Sequence, residues 1–122
     1  MAVVDPFGVI CASSDIEEGG AGVRFEIRRG SEQVHAFVVR FDGEVRAYEN
    51  RCAHVPVQLD WMEGQFFDSA GLYLICATHG ATYLPESGRC VAGPCKGSAL
   101  TRVPVMERDG SVFLLQESSS HV

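Results

Sequence analysis

Lysine is almost missing from this chain of 122 residues: Lys96 is the only one, and the other nine of ten basic side chains are Arg. The Arg residues are scattered, so there is no basic stripe of the kind that tracks a nucleic-acid backbone, and nucleic acid is not an expected partner. No stretch approaches the roughly 18 apolar residues that a membrane-crossing helix requires. The segment from Met1 to Ala12 is apolar, but Asp5, Pro6 and Gly8 interrupt it and no basic stretch precedes the apolar part. It reads neither as a signal peptide nor as a span. Internal repeats, biased tracts and long amphipathic helical patterns are also absent. The expectation is one soluble, cytoplasmic domain over residues 1–122, long enough to bury a core without staples.

The chain is 46% apolar and 21% charged, with 13 Gly and 5 Pro, a balance that favours turns and short strands over long helices. Its net charge of −6 suits solubility and could steer an acidic protein toward a basic partner surface. Residues 23–27 alternate apolar and polar side chains, as a half-buried strand does. Residues 34–41 and 44–48 read as two more strands around Asp42-Gly43, a strong hairpin signal. Further hairpins are expected around 68–71, 85–88 and 108–110, the last joining strands at 101–107 and 111–115. The fold class is therefore mostly β, an antiparallel sandwich or barrel interrupted by a lobe over about 49–94.

That lobe holds two short motifs, Cys52-Ala53-His54 and Cys76-Ala77-Thr78-His79. Each places a thiol and an imidazole within a turn of each other. Five cysteines is an odd number, and in a reducing compartment a spaced Cys/His set points to a metal rather than to a disulfide frame. Cys11, Cys90 and Cys95 are left over and read as small buried apolar residues. A Cys90–Cys95 disulfide is conceivable across a turn but disfavoured in such a compartment. Two Cys and two His would also satisfy zinc, yet zinc fingers pair Cys with Cys and His with His. The crossed pairing favours a [2Fe–2S] cluster bound through two thiolates and two imidazoles. A catalytic Cys–His pair is the weaker rival, because nothing in the sequence orients either His as a base.

Residues 50–94 resemble the Rieske iron–sulfur family, through Asn50-Arg51-Cys52-Ala53-His54, Cys76-Ala77-Thr78-His79-Gly80, the turn at Gly88 and the Gly93-Pro94 loop. The resemblance implies that Cys52 and Cys76 hold one iron of a single [2Fe–2S] cluster per chain and that His54 and His79 hold the other. High-potential members carry an additional Cys in each cluster loop, joined as a disulfide. Val57 and Thr78 stand there, which makes the chain similar to soluble ferredoxins of ring-hydroxylating dioxygenases. Ala81 replaces the Ser whose hydroxyl bonds a cluster sulfide, whereas Tyr83 matches a Tyr that bonds a ligand thiolate. A low to intermediate potential is implied, raised slightly by Tyr83. In this family the centre lies roughly between −150 and +300 mV, against about −400 mV for four-thiolate clusters.

The implied function is a one-electron carrier, not itself an enzyme, between a reductase and a terminal oxygenase. The alternatives are a small Rieske-fold subunit of a larger oxidoreductase such as nitrite reductase, or a zinc-stabilised interaction module. Trp61, Phe66 and Phe67 are expected to pack beneath the cluster. Val55, Pro56, Ala81 and Pro94 are expected to ring it. Asp60 and Asp68 read as turn residues, and His35 as a structural strand residue.

Overall fold

A computed structural model describes residues 3–4, 7–51, 58–60, 64–76, 80–93 and 97–115. Among these residues ten strands run in the order β1 (Val3–Val4), β2 (Val9–Ala12), β3 (Val23–Arg29), β4 (Glu32–Phe41), β5 (Glu44–Glu49), β6 (Leu74–Ile75), β7 (Thr82–Tyr83), β8 (Cys90–Ala92), β9 (Val105–Arg108) and β10 (Ser111–Leu114). Among the described residues the only helical element is a 3₁₀ turn at Ser13–Asp15. No helix among them is long and apolar enough to cross a membrane.

The strands form three sheets, ordered β1-β3-β4-β5, β2-β10-β9 and β6-β7-β8. The pairings between these strands are antiparallel except the short parallel contact of β1 with β3. The expected hairpins are present. Asp42 and Gly43 both take positive φ, 55° and 78°, the left-handed pair that matches strand twist in a two-residue turn.

Strand β4 organises the molecule. Ala36, Phe37, Val38 and Val39 are all fully buried, so this strand is covered on both faces. Successive side chains point to opposite faces of a sheet. Ala36 and Val38 enter a core with Phe25, Ile27, Val112 and Leu114, between the first sheet and β2-β10-β9. Phe37 and Val39 enter a second core with Phe66, Leu74, Cys76 and Tyr83, beneath β6-β7-β8. The lobe is thus mounted on one face of the central sheet and the sandwich on the other. Phe66 stacks on Phe37 with ring centroids 3.9 Å apart, as expected of a residue packing the lobe. Each such buried ring contributes roughly 1.5–3 kcal/mol by leaving water.

The structure differs from the sequence expectation at three places. Strands β1 and β2 use an N-terminal segment that carried no strand signal, and β2 is held by β10. The last hairpin begins at Val105 rather than Thr101, because Pro104 has no N–H for the ladder. Of residues 72–75, only Leu74 and Ile75 form a strand.

Gly19 and Gly71 tie the lobe to the base. Each takes positive φ, and a Cβ on either would stand 3.2 Å from the other's carbonyl oxygen. Gly19 also donates its N–H to the Arg40 carbonyl at 2.9 Å.

Arg40 holds the adjoining corner. It donates to the carbonyls of Ser13 and Ile16 and makes a two-pronged pair with Glu107 at 2.7 and 3.0 Å. The Arg40 guanidinium holds the Glu107 carboxyl down at about 2, below its ordinary 4.5. A depressed carboxylate pKa gives stability that is complete above pH 4.5 and is lost as pH falls toward 2. Glu107→Gln should therefore flatten the acid limb of a urea-unfolding series across that window. Because the pair is partly exposed, the loss at neutral pH should stay within about 1 kcal/mol.

Candidate metal centre

The first motif follows directly from β5. Asn50, at the strand end, is 3% exposed and donates its backbone N–H to the His35 carbonyl at 2.8 Å. Its side chain then closes the loop that follows: Oδ1 accepts the Leu59 N–H at 2.8 Å and Nδ2 donates to Asp60 Oδ1 at 3.0 Å. Asp60 Oδ2 accepts the Gly64 N–H at 3.0 Å and lies 3.5 Å from Arg24 Nε on β3. Arg24 reaches on to Gln58 Oε1 at 2.8 Å. Asp60 is therefore no simple turn residue. It is a buried carboxylate joining strand β3, the end of β5 and the far side of the first loop. Asp68 does act as expected, its Oδ1 accepting the N–H groups of Leu72 and Tyr73.

The second motif starts where β6 ends. Cys76 is fully buried. Its N–H donates to the Ala81 carbonyl and its own carbonyl accepts the Gly80 N–H, both at 2.8 Å. Two backbone bonds thus tie Gly80 and Ala81 back to Cys76. Gly80 takes φ 72° there, which explains glycine directly after the second His. The next loop leans on Gly80 and Ala81. A Cβ on Gly93, at φ 89°, would sit 3.0 Å from Ala81 Cα and 3.1 Å from the Gly80 carbonyl. Backbone therefore packs on backbone at this point. Ala81 and Tyr83 are both fully buried, and Tyr83 is paired with Leu74 on β6 and Cys90 on β8 within the third sheet.

Of the four expected ligands, Cys76 is described, while Cys52, His54 and His79 lie outside the described residues. So do Val55, Pro56, Val57, Trp61, Thr78 and Pro94. Among the described residues no three His, Cys, Asp or Glu side chains gather as a metal site. His35 lies on the strand surface with Nδ1 3.3 Å from Glu26 Oε2, in keeping with a structural role. Cys11 is half-buried, and burial followed by the Asp15 charge pushes its thiol up to about 11, so it stays protonated at neutral pH. Cys90 is buried, as expected of a leftover cysteine, but it is disulfide-bonded, to a partner outside the described residues.

A family model described as the Rieske [2Fe-2S] domain matches residues 7–113. The chain belongs to the Rieske [2Fe–2S] domain family. No curated protein matches it. Among solved structures, a chain described as the ferredoxin of Sphingomonas yanoikuyae B1 superposes with TM-score 0.69 at 24% identity, covering 89% of this chain and 97% of its own. The ferredoxin of carbazole 1,9a-dioxygenase from Nocardioides aromaticivorans IC177 gives TM-score 0.68 at 19% identity, covering 89% and 96%. A complex of reduced oxygenase and oxidized ferredoxin in carbazole 1,9a-dioxygenase contains a chain matched at TM-score 0.68 and 24% identity, covering 89% and 92%. At these identities the likeness establishes a shared fold over nearly the whole chain.

The described parts of the site fit a Rieske cluster. Cys76 is tied by its backbone to Gly80 and Ala81, Gly93 packs against those two residues, and the start of the first loop is pinned by a buried amide–carboxylate pair. The two Cys and two His of the motifs are the donor types that such a cluster takes.

Proposed function

We propose that this Rieske protein is a cytoplasmic one-electron carrier that takes electrons from a reductase and passes them to a terminal oxygenase. The observation that carries the reading is the backbone tie of Cys76 to Gly80 and Ala81, backed by Gly93, within a chain that matches the family over 107 consecutive residues, 7–113. The carbazole dioxygenase complex, in which oxygenase and ferredoxin meet, supports the choice of partner. Cys52 and Cys76 would hold one iron, His54 and His79 the other. Such a cluster supplies a single reversible electron without bond making. The chain's part is to fix the ligand loops and exclude water, through the Asn50–Asp60 pair under the first loop and the Gly93 contact behind the second.

If Cys52 is a ligand, Cys95 is the only cysteine left to pair with Cys90, since Cys11 and Cys76 are not in disulfides. The purified protein should carry about two iron and two acid-labile sulfide per chain and show visible absorption that bleaches on reduction. Peptide mapping should join Cys90 to Cys95. One zinc per chain without visible absorption, or a Cys90–Cys52 link, would overturn the proposal. A stable complex that always co-purifies with a larger oxidoreductase would make the chain a fixed subunit instead.

Tyr83 and Ala81 are proposed to set the potential. A phenol bonded to a ligand thiolate favours the more negative reduced state. Tyr83→Phe should therefore lower the midpoint by about 40 mV, the one-electron equivalent of a hydrogen bond of about 1 kcal/mol. Redox titration showing an unchanged or higher midpoint would remove Tyr83 from this role.

A further inference from the structure

The carrier reading gives work to Cys52 and Cys76 and none to Cys90. Cys90 lies on β8, 3% exposed, in the same buried cluster as Cys76, Ala81 and Tyr83. It is disulfide-bonded, whereas Cys11 and Cys76 are not. With Cys52 on iron, its partner is Cys95, and the bond closes a ring over residues 90–95. This is not the bond between ligand loops that Val57 and Thr78 preclude. It belongs to the loop behind the second motif.

That loop is fixed at its base. Leu100 donates its N–H to the Gly88 carbonyl at 2.8 Å, Arg89 is bridged to Ala99, and Cys90 donates its N–H to the Ser98 carbonyl at 2.9 Å. Strand β8 carries the chain to Ala92, paired with Thr82. Gly93 is the next residue, inside the ring, and its backbone abuts Gly80 and Ala81. Those two residues are bonded to the Cys76 backbone. The sheet thus fixes Gly93 on its near side, and the bond from Cys95 back to Cys90 fixes it on the far side. A cross-link of this kind acts by removing conformations from the open chain. The rim of the loop is open to solvent: Val91, Ala92 and Gly93 before residues 94–96, and Gly97, Ser98 and Ala99 after them, are exposed. In a reducing compartment a disulfide is characteristically transient and redox-sensing rather than structural.

We propose that Cys90 and Cys95 form a thiol–disulfide exchange site, a second redox centre beside the cluster, whose substrate is a dithiol, and that opening the bond loosens the brace behind Cys76. The inference rests on the carrier reading, which assigns Cys52 to iron and the chain to a reducing compartment. One thiolate of the dithiol attacks the Cys95 sulfur, because the Cys90 sulfur is the buried one. The bond between Cys95 and Cys90 breaks, and Cys90 leaves with the electron pair and takes up a proton. The second thiol of the reductant then displaces Cys95, which is released as a thiol in its turn. Two electrons pass to the protein, both protons come from the reductant, and the dithiol ends as a disulfide. The closed form holds Gly93 against Gly80 and Ala81; the open form lets it withdraw.

Dithiothreitol is the probe. Treating the holoprotein with it, then alkylating with iodoacetamide and mapping peptides by mass, should add labels at Cys90 and Cys95 while the visible absorption persists. Hydrogen–deuterium exchange of the peptide containing Cys76 and Gly80, whose N–H groups are bonded to Ala81 and Cys76, should quicken about tenfold on opening. The half-life of the visible absorption under mild heating should fall about fivefold. Cys95→Ser, which keeps the Cys90 side chain packed in the core, should show both changes without dithiol and respond to it no further. Absence of new labels, or new labels with exchange and lifetime unchanged, would overturn the proposal. A zinc-loaded chain that gains both labels and the faster exchange would sink the carrier reading and keep the exchange site. A map joining Cys90 to Cys52 would overturn both.

Discussion

Gly88→Ala should lower stability by about 3 kcal/mol, which in a domain of this size moves Tm down by roughly 10 °C. Gly88 takes φ 77°, and an added Cβ would lie 2.7 Å from Tyr48 Cε1 and 3.3 Å from Leu100 Cβ. Tyr48 has no room to retreat. It is 1% exposed, tilted against Phe37, and its hydroxyl donates to the Pro85 carbonyl in the same turn. Left-handed strain and overpacking each cost about 1–3 kcal/mol. Gly110→Ala separates them, because Gly110 has nearly the same φ, 78°, with nothing within 4 Å of its Cβ position. That variant should lose only about 1 kcal/mol. Chemical denaturation of the two side by side is the measurement, and equal losses would show that the Tyr48 contact relaxes at no cost.

Asp60→Ala is expected to cost about 3–5 kcal/mol and to shorten the lifetime of the bound cluster. The change strips the acceptor from Asn50 Nδ2 and from the Gly64 N–H and removes the carboxylate facing Arg24. Breaking a buried charged pair on one side is costly because the partner stays buried, and each orphaned donor adds its own penalty of about 1–3 kcal/mol. Asp60→Asn keeps an oxygen for one of the two donors and should fall between Ala and wild type. Urea unfolding gives the stability, and the half-life of the visible absorption under mild heating gives the cluster lifetime. A loss below about 1 kcal/mol for Asp60→Ala would mean that the network is ornamental to the first loop.

The central sheet was readable because its signals are local. Alternation over 23–27 and the Asp42-Gly43 turn need nothing beyond their neighbours, and the structure follows them closely. Strands β1 and β2 were not readable, since their reason to be extended lies in β3 and β10, far along the chain. Asp60 looked like a turn residue because its partners come from positions 24, 50 and 64, and no spacing rule joins those three. Pro104 carries the local signal for the later start of β9, since a proline cannot donate to the ladder inside a strand. In the candidate site the donor types were legible from two short motifs, whereas the support behind them is tertiary. The backing of Gly80 and Ala81 by Gly93 depends on glycines whose role appears only when two loops meet.

The back-to-back approach of Gly19 and Gly71 bears on how this fold can diverge. Each position denies the other a side chain, and each also needs a left-handed backbone. The two loops are therefore locked into a joint history. A descendant that acquires a side chain at one site has to lengthen, shorten or re-aim the opposite loop in the same lineage. Variation in loop length across the 68–73 hairpin should thus track variation near residue 19, although the two segments are about fifty residues apart in the chain.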